Sequence, residues 1–293
     1  MQFADIGQQL RAYRLESGLR ADEIAARLGV SRAALYRYEK GEVIKLDTIK
    51  RLAELLKISP LSLLGIGVEY YNRPVGFFER LRQVEETGDQ ILQVGGQVCY
   101  LTTSDSYDIA FAEAMSELAD EAGADRAGQR AAAEQVMGVQ AARKRMYAQR
   151  RPSIICILTS SGVTALLAGG VASGLATSER VRRVCRLAAR AEVERIADLM
   201  ETEPMGLQFG LLGRTEPTGA FTLLRGRDRA SLAVNPFRPD AAPTGSPGVA
   251  MITAADEAVG AHQRAAEGLW REALKGAGAA AKLRALLAQH GVT

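Results

Sequence analysis

Apolar residues recur at helical spacing in four short runs near the start of the chain: Ile6, Leu10 and Tyr13; Ile24, Ala25 and Leu28; Leu35 and Tyr38; and Ile49, Leu52, Ala53 and Leu56. Each run spans too few turns to be stable alone, so the four faces must pack on one another. Ser59-Pro60 predicts a further helical turn, with serine as the cap and proline at the first helical position. Gly65-Ile66-Gly67 then closes the unit.

Beyond residue 68 the pattern changes. Residues 77–94 read as helix, 98–103 as strand, and 110–147 as mostly helix with a loop near Gly123. Residues 154–158, 207–212, 220–224, 230–234 and 249–252 read as buried strands, and 178–200 and 254–274 as long amphipathic helices. Pro236 to Pro247 carries four prolines and few apolar residues, which predicts an exposed loop. No internal repeat is present. The pattern predicts an all-α bundle of four to five helices over residues 1–68, a linking helix region over 69–97, and a larger mixed α/β (α+β) domain over 98–293.

Residues 152–178 hold no charged side chain over a length that could cross a bilayer. Thr159-Ser160-Ser161-Gly162 interrupts the run, Gly169, Gly170 and Gly174 thin its second half, and arginines flank both ends. A buried strand, a turn and a short core helix account for it better, so no membrane partner is expected.

Composition adds three bounds. With 293 residues, 47% of them hydrophobic and 24% charged, the chain can build real cores, and two domains are expected. Residues 1–68 carry 11 Lys and Arg against 8 Asp and Glu, so the whole formal net charge of +3 sits there, with four of the seven lysines (Lys40, Lys45, Lys50 and Lys57). Such a bias suits a segment that meets an anionic polymer. Cys99, Cys156 and Cys185 form no C-x-x-C pair and read as small core residues, and no basic, then apolar leader opens the sequence, so a cytoplasmic location is expected.

The most informative stretch is Leu19 to Gly41. Gly29 supplies the left-handed backbone that ends one helix, and Ser31 caps the next. Leu35 and Tyr38 face inward, leaving Arg32, Ala33, Tyr36 and Arg37 outward. A short, basic and aromatic helix face suits the major groove: arginine can donate two hydrogen bonds to guanine, and alanine or a tyrosine ring can meet a thymine methyl. The same residues also suit a solvated face in a bundle that never touches DNA.

Residues 5–64 resemble the phage-repressor-like (Xre/Cro-type) helix-turn-helix family, in helix order and in the pattern Leu28-Gly29-Val30-Ser31 followed by Leu35-Tyr36-Arg37-Tyr38-Glu39-Lys40-Gly41. The resemblance implies that Arg32, Ala33, Tyr36 and Arg37, behind the cap Ser31, read bases, and that Arg20 and Lys40 meet the phosphate backbone. It also implies a structural ion pair between Arg14 and Glu39. Two positions depart from the family. Ala21 stands where glutamine is common, and residues 41–45 lack the usual proline.

Enzyme signatures are mostly missing. His262 and His290 belong to no metal-binding motif, and neither a G-x-S-x-G elbow nor a phosphate-binding G-x-x-x-x-G-K-[ST] loop occurs, so no catalytic residue, metal or cofactor is expected. Gly169, Gly170 and Gly174 predict a close-packed turn. Arg180, Arg182, Arg183, Arg186 and Arg190 line one helix as an anion-binding or solvated face, with Arg190 expected to pair with Glu194. Phe209, Phe221, Phe237 and Trp270 are cavity-lining or core candidates. From about Tyr107 onward the chain faintly resembles the uncharacterised C-terminal domain that follows such headpieces in actinobacterial regulators. These readings predict a sequence-specific DNA-binding transcriptional regulator, a repressor, acting on double-stranded operator DNA as a homodimer, with a C-terminal domain that dimerises and senses a small-molecule effector. A toxin-like or enzymatic C-terminal module with an autoregulatory headpiece, and a protein-binding adaptor, stay open at this point.

Overall fold

The computed structural model describes residues 3–64, 67–237 and 248–290. The chain is α+β: an N-terminal helical unit followed by a larger body with a mixed sheet. Among the described residues, five helices form the first unit, α1 (Phe3–Ser17), α2 (Ala21–Leu28), α3 (Arg32–Glu39), α4 (Leu46–Leu56) and α5 (Pro60–Leu63). Ile6, Leu10, Tyr13, Ile24, Leu35 and Leu52 are all buried in their shared core. Ser59 caps α5, accepting the Leu61 N–H, and Pro60 stands in its first turn. Gly65 and Ile66 lie outside the described residues, as do residues 238–247 of the expected proline-rich loop.

Among the described residues the body has seven strands: β1 (Val68–Tyr71), β2 (Gly88–Gly96), β3 (Ser153–Thr159), β4 (Leu207–Leu212), β5 (Phe221–Gly226), β6 (Ala230–Val234) and β7 (Ala250–Thr253). Their order across the sheet is β1-β7-β6-β5-β2-β3-β4. β2, β3 and β4 run parallel, and the remaining pairings are antiparallel. Helices α6 (Pro74–Thr87), α7 (Asp105–Glu121), α8 (Arg126–Arg150), α9 (Ser160–Gly169), α10 (Glu179–Thr202), α11 (Asp256–Glu272) and α12 (Gly276–Gln289) accompany the sheet. Strand residues alternate between two apolar cores. Ile91, Ile154, Cys156 and Leu224 join the large core with α6–α10 and α12, whereas Leu92, Ile157, Leu223 and Leu232 join a smaller one under α11. The sheet is therefore the middle of three layers.

Several expectations need correction. Residues 77–94 split at Gly88 into α6 and β2, and 98–103 form a 3₁₀ turn (Tyr100–Thr102) rather than a strand. In that turn the Thr102 and Thr103 hydroxyls donate to the carbonyls of Cys99 and Tyr100, local bonds that compete with a strand ladder. Residues 69–97 supply most of β1 and all of β2 to the sheet as well as α6. Arg190 does not pair with Glu194; it donates to the carbonyls of Leu287 and His290 at the end of α12, and Glu194 pairs with Arg284. Arg180, Arg182 and Arg186 are engaged by Glu113 and Glu179.

Residues 152–178 form β3, α9 and a turn, and no described helix is long and apolar enough to cross a membrane. At Gly170, φ is +83° and a Cβ would sit 2.8 Å from the Cys185 backbone, so this turn does let α9 pack tightly on α10. All three cysteines are buried. Phe209 is core, and Trp270 covers Gly210 on the α11 side, whereas Phe221 and Phe237 border a cavity.

Candidate nucleic-acid interface

Local backbone chemistry sets the angle between α2 and α3. Gly29 adopts φ 71°, and its N–H and that of Val30 close the last turn of α2 on the carbonyls of Ala26 and Ala25. Ser31 then starts α3, its hydroxyl accepting the Ala34 N–H at 3.1 Å. Ala34 and Leu35 are buried against α1 and α2, and Tyr38 is half-buried.

The opposite face of α3 is open. Ser31, Arg32, Ala33, Arg37 and Lys40 are exposed, and Tyr36 is half-buried, packed in part against the core of the unit. The Arg32 guanidinium donates to the Tyr36 hydroxyl at 3.1 Å and lies 5.4 Å from the centre of its ring. This contact, one helical turn apart, stiffens two long side chains. Arg37 pairs with Glu42 at 3.3 Å, both largely exposed. Such pairs are weak enough to open for a stronger anion.

Arg20 stands just before α2; its N–H donates to Glu23, and its exposed guanidinium lies 3.5 Å from Asp22 and 3.8 Å from Glu23. Ala21, the position without a polar group, is buried. Lys40 closes α3 with its N–H on the carbonyls of Tyr36 and Arg37 and leaves its side chain to solvent.

Behind the open face, α1 fixes the last turn of α3. Arg14 grips Glu39 through two hydrogen bonds, from Nε at 2.5 Å and from a terminal nitrogen at 3.2 Å, with the Glu39 side chain only 5% exposed. Gly7 permits the approach, since a Cβ there would fall 2.5 Å from the Tyr38 carbonyl oxygen and 2.7 Å from that of Glu39. Sequence reasoning missed Gly7, because a helical glycine looks the same whether or not a backbone abuts it. It also passed over Arg27 and Arg51, which are exposed and joined by a hydrogen bond from the Arg51 guanidinium to the Arg27 carbonyl. Lys45 and Lys50 are exposed as well. The local excess of lysine was the available signal for the last two.

The far side of α1 is welded to the body. Glu69 of β1 receives both Nε and a terminal nitrogen of Arg80 at 2.8 and 3.0 Å, the Tyr71 hydroxyl at 2.8 Å and the side-chain amide of Gln9 at 3.1 Å. Tyr13 stacks on Tyr71 with ring centres 5.3 Å apart. Burial, with the Glu69 charge nearby, pushes both tyrosine hydroxyls well above their ordinary pKa, so they remain neutral. Glu16 accepts the N–H groups of Asn72 and Arg73, the two residues that lead into α6. The helix that positions α3 is thus also the helix that packs on α6 and touches the edge strand β1. Among the described residues, no group of His, Cys, Asp and Glu could hold a metal ion.

A family described as a helix-turn-helix domain matches residues 5–63. The Putative HTH-type transcriptional regulatory protein PH1808 of Pyrococcus horikoshii is 42% identical over 62 residues, 20% of each chain, so the two are alike over about a fifth of their lengths. TrmBL2, an archaeal chromatin protein described as showing a novel mode of DNA binding, overlays with a TM-score of 0.33 at 11% identity, covering 78% of this chain and 61% of that one. The N-terminal unit of this chain is a helix-turn-helix domain.

Proposed function

We propose that the protein is a sequence-specific DNA-binding transcriptional regulator of the Xre/Cro type, and that it represses by occupying operator DNA. The observation that carries the reading is the two-sided state of α3: its inner side is locked by Leu35, Gly7 and the Arg14–Glu39 pair, and its outer side presents Arg32, Ala33 and Arg37 to solvent beside the half-buried Tyr36. A rigid helix with an open face is what major-groove recognition requires. Arg32, Ala33, Tyr36 and Arg37 contact base edges, Ser31 sets the start of the helix at the groove, and Arg20 and Lys40 contact phosphates. The protein acts in the cytoplasm as a homodimer, placing two copies of α3 about one helical turn of DNA apart. The body dimerises and holds a small-molecule effector.

The test is selection of bound sequences from random duplexes by the full chain, repeated with residues 32–37 exchanged for those of another helix-turn-helix protein. A changed target preference is expected, with two-fold symmetry in the recovered sites. An unchanged preference after the exchange removes α3 as the reading element.

A further inference from the structure

We propose that the cavity under α6 binds an uncharged small molecule with a flat, aromatic body, and that this occupancy is transmitted to the headpiece through a row of stacked aromatic rings. The inference rests on reading residues 5–63 as DNA-binding, and it adds the chemistry of the effector and its route of action.

The cavity has a volume of about 310 Å³. Phe77 and Phe78 of α6, Tyr100, Tyr107 of α7 and Phe237 after β6 contribute rings to its lining. The volume, at the small end of ligand pockets, suits a fused-ring compound better than a nucleotide or a peptide. Arg143 is the one charged residue among the described lining residues, and its charge is already spent. Two of its nitrogens bind both oxygens of buried Glu85 at 2.9 and 2.6 Å, a third binds Gln140, and the rings of Phe78 and Tyr100 lie 5.5 and 5.9 Å from its guanidinium carbon. An anionic ligand would lose its hydration and find no free cation. A cationic one would find no carboxylate lining the cavity. The remaining polar lining, Gln93, Gln97 and Asn235 among it, is uncharged. A neutral aromatic ligand with a few hydrogen-bonding edges is what this environment solvates.

One wall of the cavity begins a path out of the body. Phe237 meets Phe77 edge-on with centres 6.0 Å apart, Phe77 meets Tyr71 edge-on at 6.3 Å, and Tyr71 stacks on Tyr13 at 5.3 Å and 13°. Tyr13 belongs to α1, whose Gly7 and Arg14 fix the end of α3. A ligand that shifts Phe77 or Phe237 therefore acts on the helix that sets the recognition face. It does so by binding one ring arrangement more tightly than the other.

The experiment uses the full chain and N-phenyl-1-naphthylamine, a neutral fluorescent naphthalene. We expect its emission to rise on binding, and the anionic analogue 8-anilinonaphthalene-1-sulfonate to bind at least about tenfold more weakly. Ala220→Trp, which places an indole at the cavity lining, should abolish the signal. In the absence of DNA, saturating probe should change amide hydrogen exchange in residues 6–16. With DNA present it should shift operator affinity by about fivefold or more. Tyr71→Leu should bind the probe and lose both responses, while Tyr71→Phe, which keeps the ring, should retain them.

Equal binding of the charged analogue, or undiminished binding by Ala220→Trp, overturns the cavity assignment. A wild-type chain that binds probe without altered exchange in residues 6–16 overturns the aromatic route, as does a full response in Tyr71→Leu. Failure to bind any DNA, with the exchange response present, refutes the DNA reading alone.

Discussion

Arg32 and Arg37 on α3 and Arg80 and Arg143 in the body carry the same guanidinium under opposite conditions. The first two stand in solvent beside a tyrosine hydroxyl and a half-exposed glutamate. The other two are buried and doubly bonded to Glu69 and Glu85. A solvent-exposed pair is worth about 0–1 kcal/mol and can be exchanged for another anion, whereas breaking a buried pair strands a charge at about 3–5 kcal/mol. Position in the fold, and not residue type, decides which arginines hold the protein together and which remain free to bind.

The comparison can be broken most forcefully at the seam. Arg80→Ala should destabilise the chain by about 3–5 kcal/mol in chemical denaturation, because Glu69 stays behind as an uncompensated charge. Glu69→Leu combined with Arg80→Met should cost far less. If single and double variants are equally unstable, the loss in Arg80→Ala does not come from an uncompensated Glu69 charge.

Gly7→Ala comes next. Its methyl would meet carbonyls at 2.5 and 2.7 Å, so we expect a loss of about 1–3 kcal/mol and faster hydrogen exchange in α3. On the recognition face the expectation reverses. Arg37→Ala should leave stability within about 0.5 kcal/mol of the parent and cost about 1–3 kcal/mol in operator binding, with relaxed base choice at one position. Arg20→Ala should weaken all sequences alike and flatten the salt dependence by about one unit of slope. Equal losses of specificity in these two variants would contradict their assigned roles.

The smallest effect concerns pH. Burial pushes the Glu16 carboxyl above its ordinary pKa, partly offset by the N–H groups of Asn72 and Arg73. The folded chain then holds that proton more tightly than the unfolded chain. Its contribution to stability is full at acid pH and is lost as pH rises through the raised value. Thermal melts of Glu16→Gln should lack this component, so the difference in melting temperature between variant and parent should grow in the variant's favour from acid to neutral pH.

The unit that binds and the unit that anchors also differ in how plainly they are written in the sequence. Leu28-Gly29-Val30-Ser31 and the spacing of Leu35 specify α2, the turn and α3 through contacts a few residues apart. Strand β1 is hidden because Val68-Glu69-Tyr70-Tyr71 turns a charge inward, which Tyr71 and the distant Arg80 and Gln9 make tolerable. Strand β2 is disguised by the apolar spacing of Phe77, Leu81, Val84 and Ile91, which runs on in helical period through Gly88, where α6 ends. Helix α12 was missed because alanines carry much of its buried face, Ala279 and Ala280 among them, and alanine gives a faint periodic signal. The open face of α3 was legible. Its grip by Gly7 was not, since that depends on which backbone arrives opposite.

The pairing of β1 with β7 carries a temporal consequence. Val68 lies opposite Thr253 and Tyr71 opposite Ala250, so the strand next to the headpiece has its ladder partner far downstream. During synthesis the five short helices leave the ribosome early, while the edge they dock beside is completed only after residue 253 has been made. A nascent chain halted before that point would carry a folded reader on an unfinished mount.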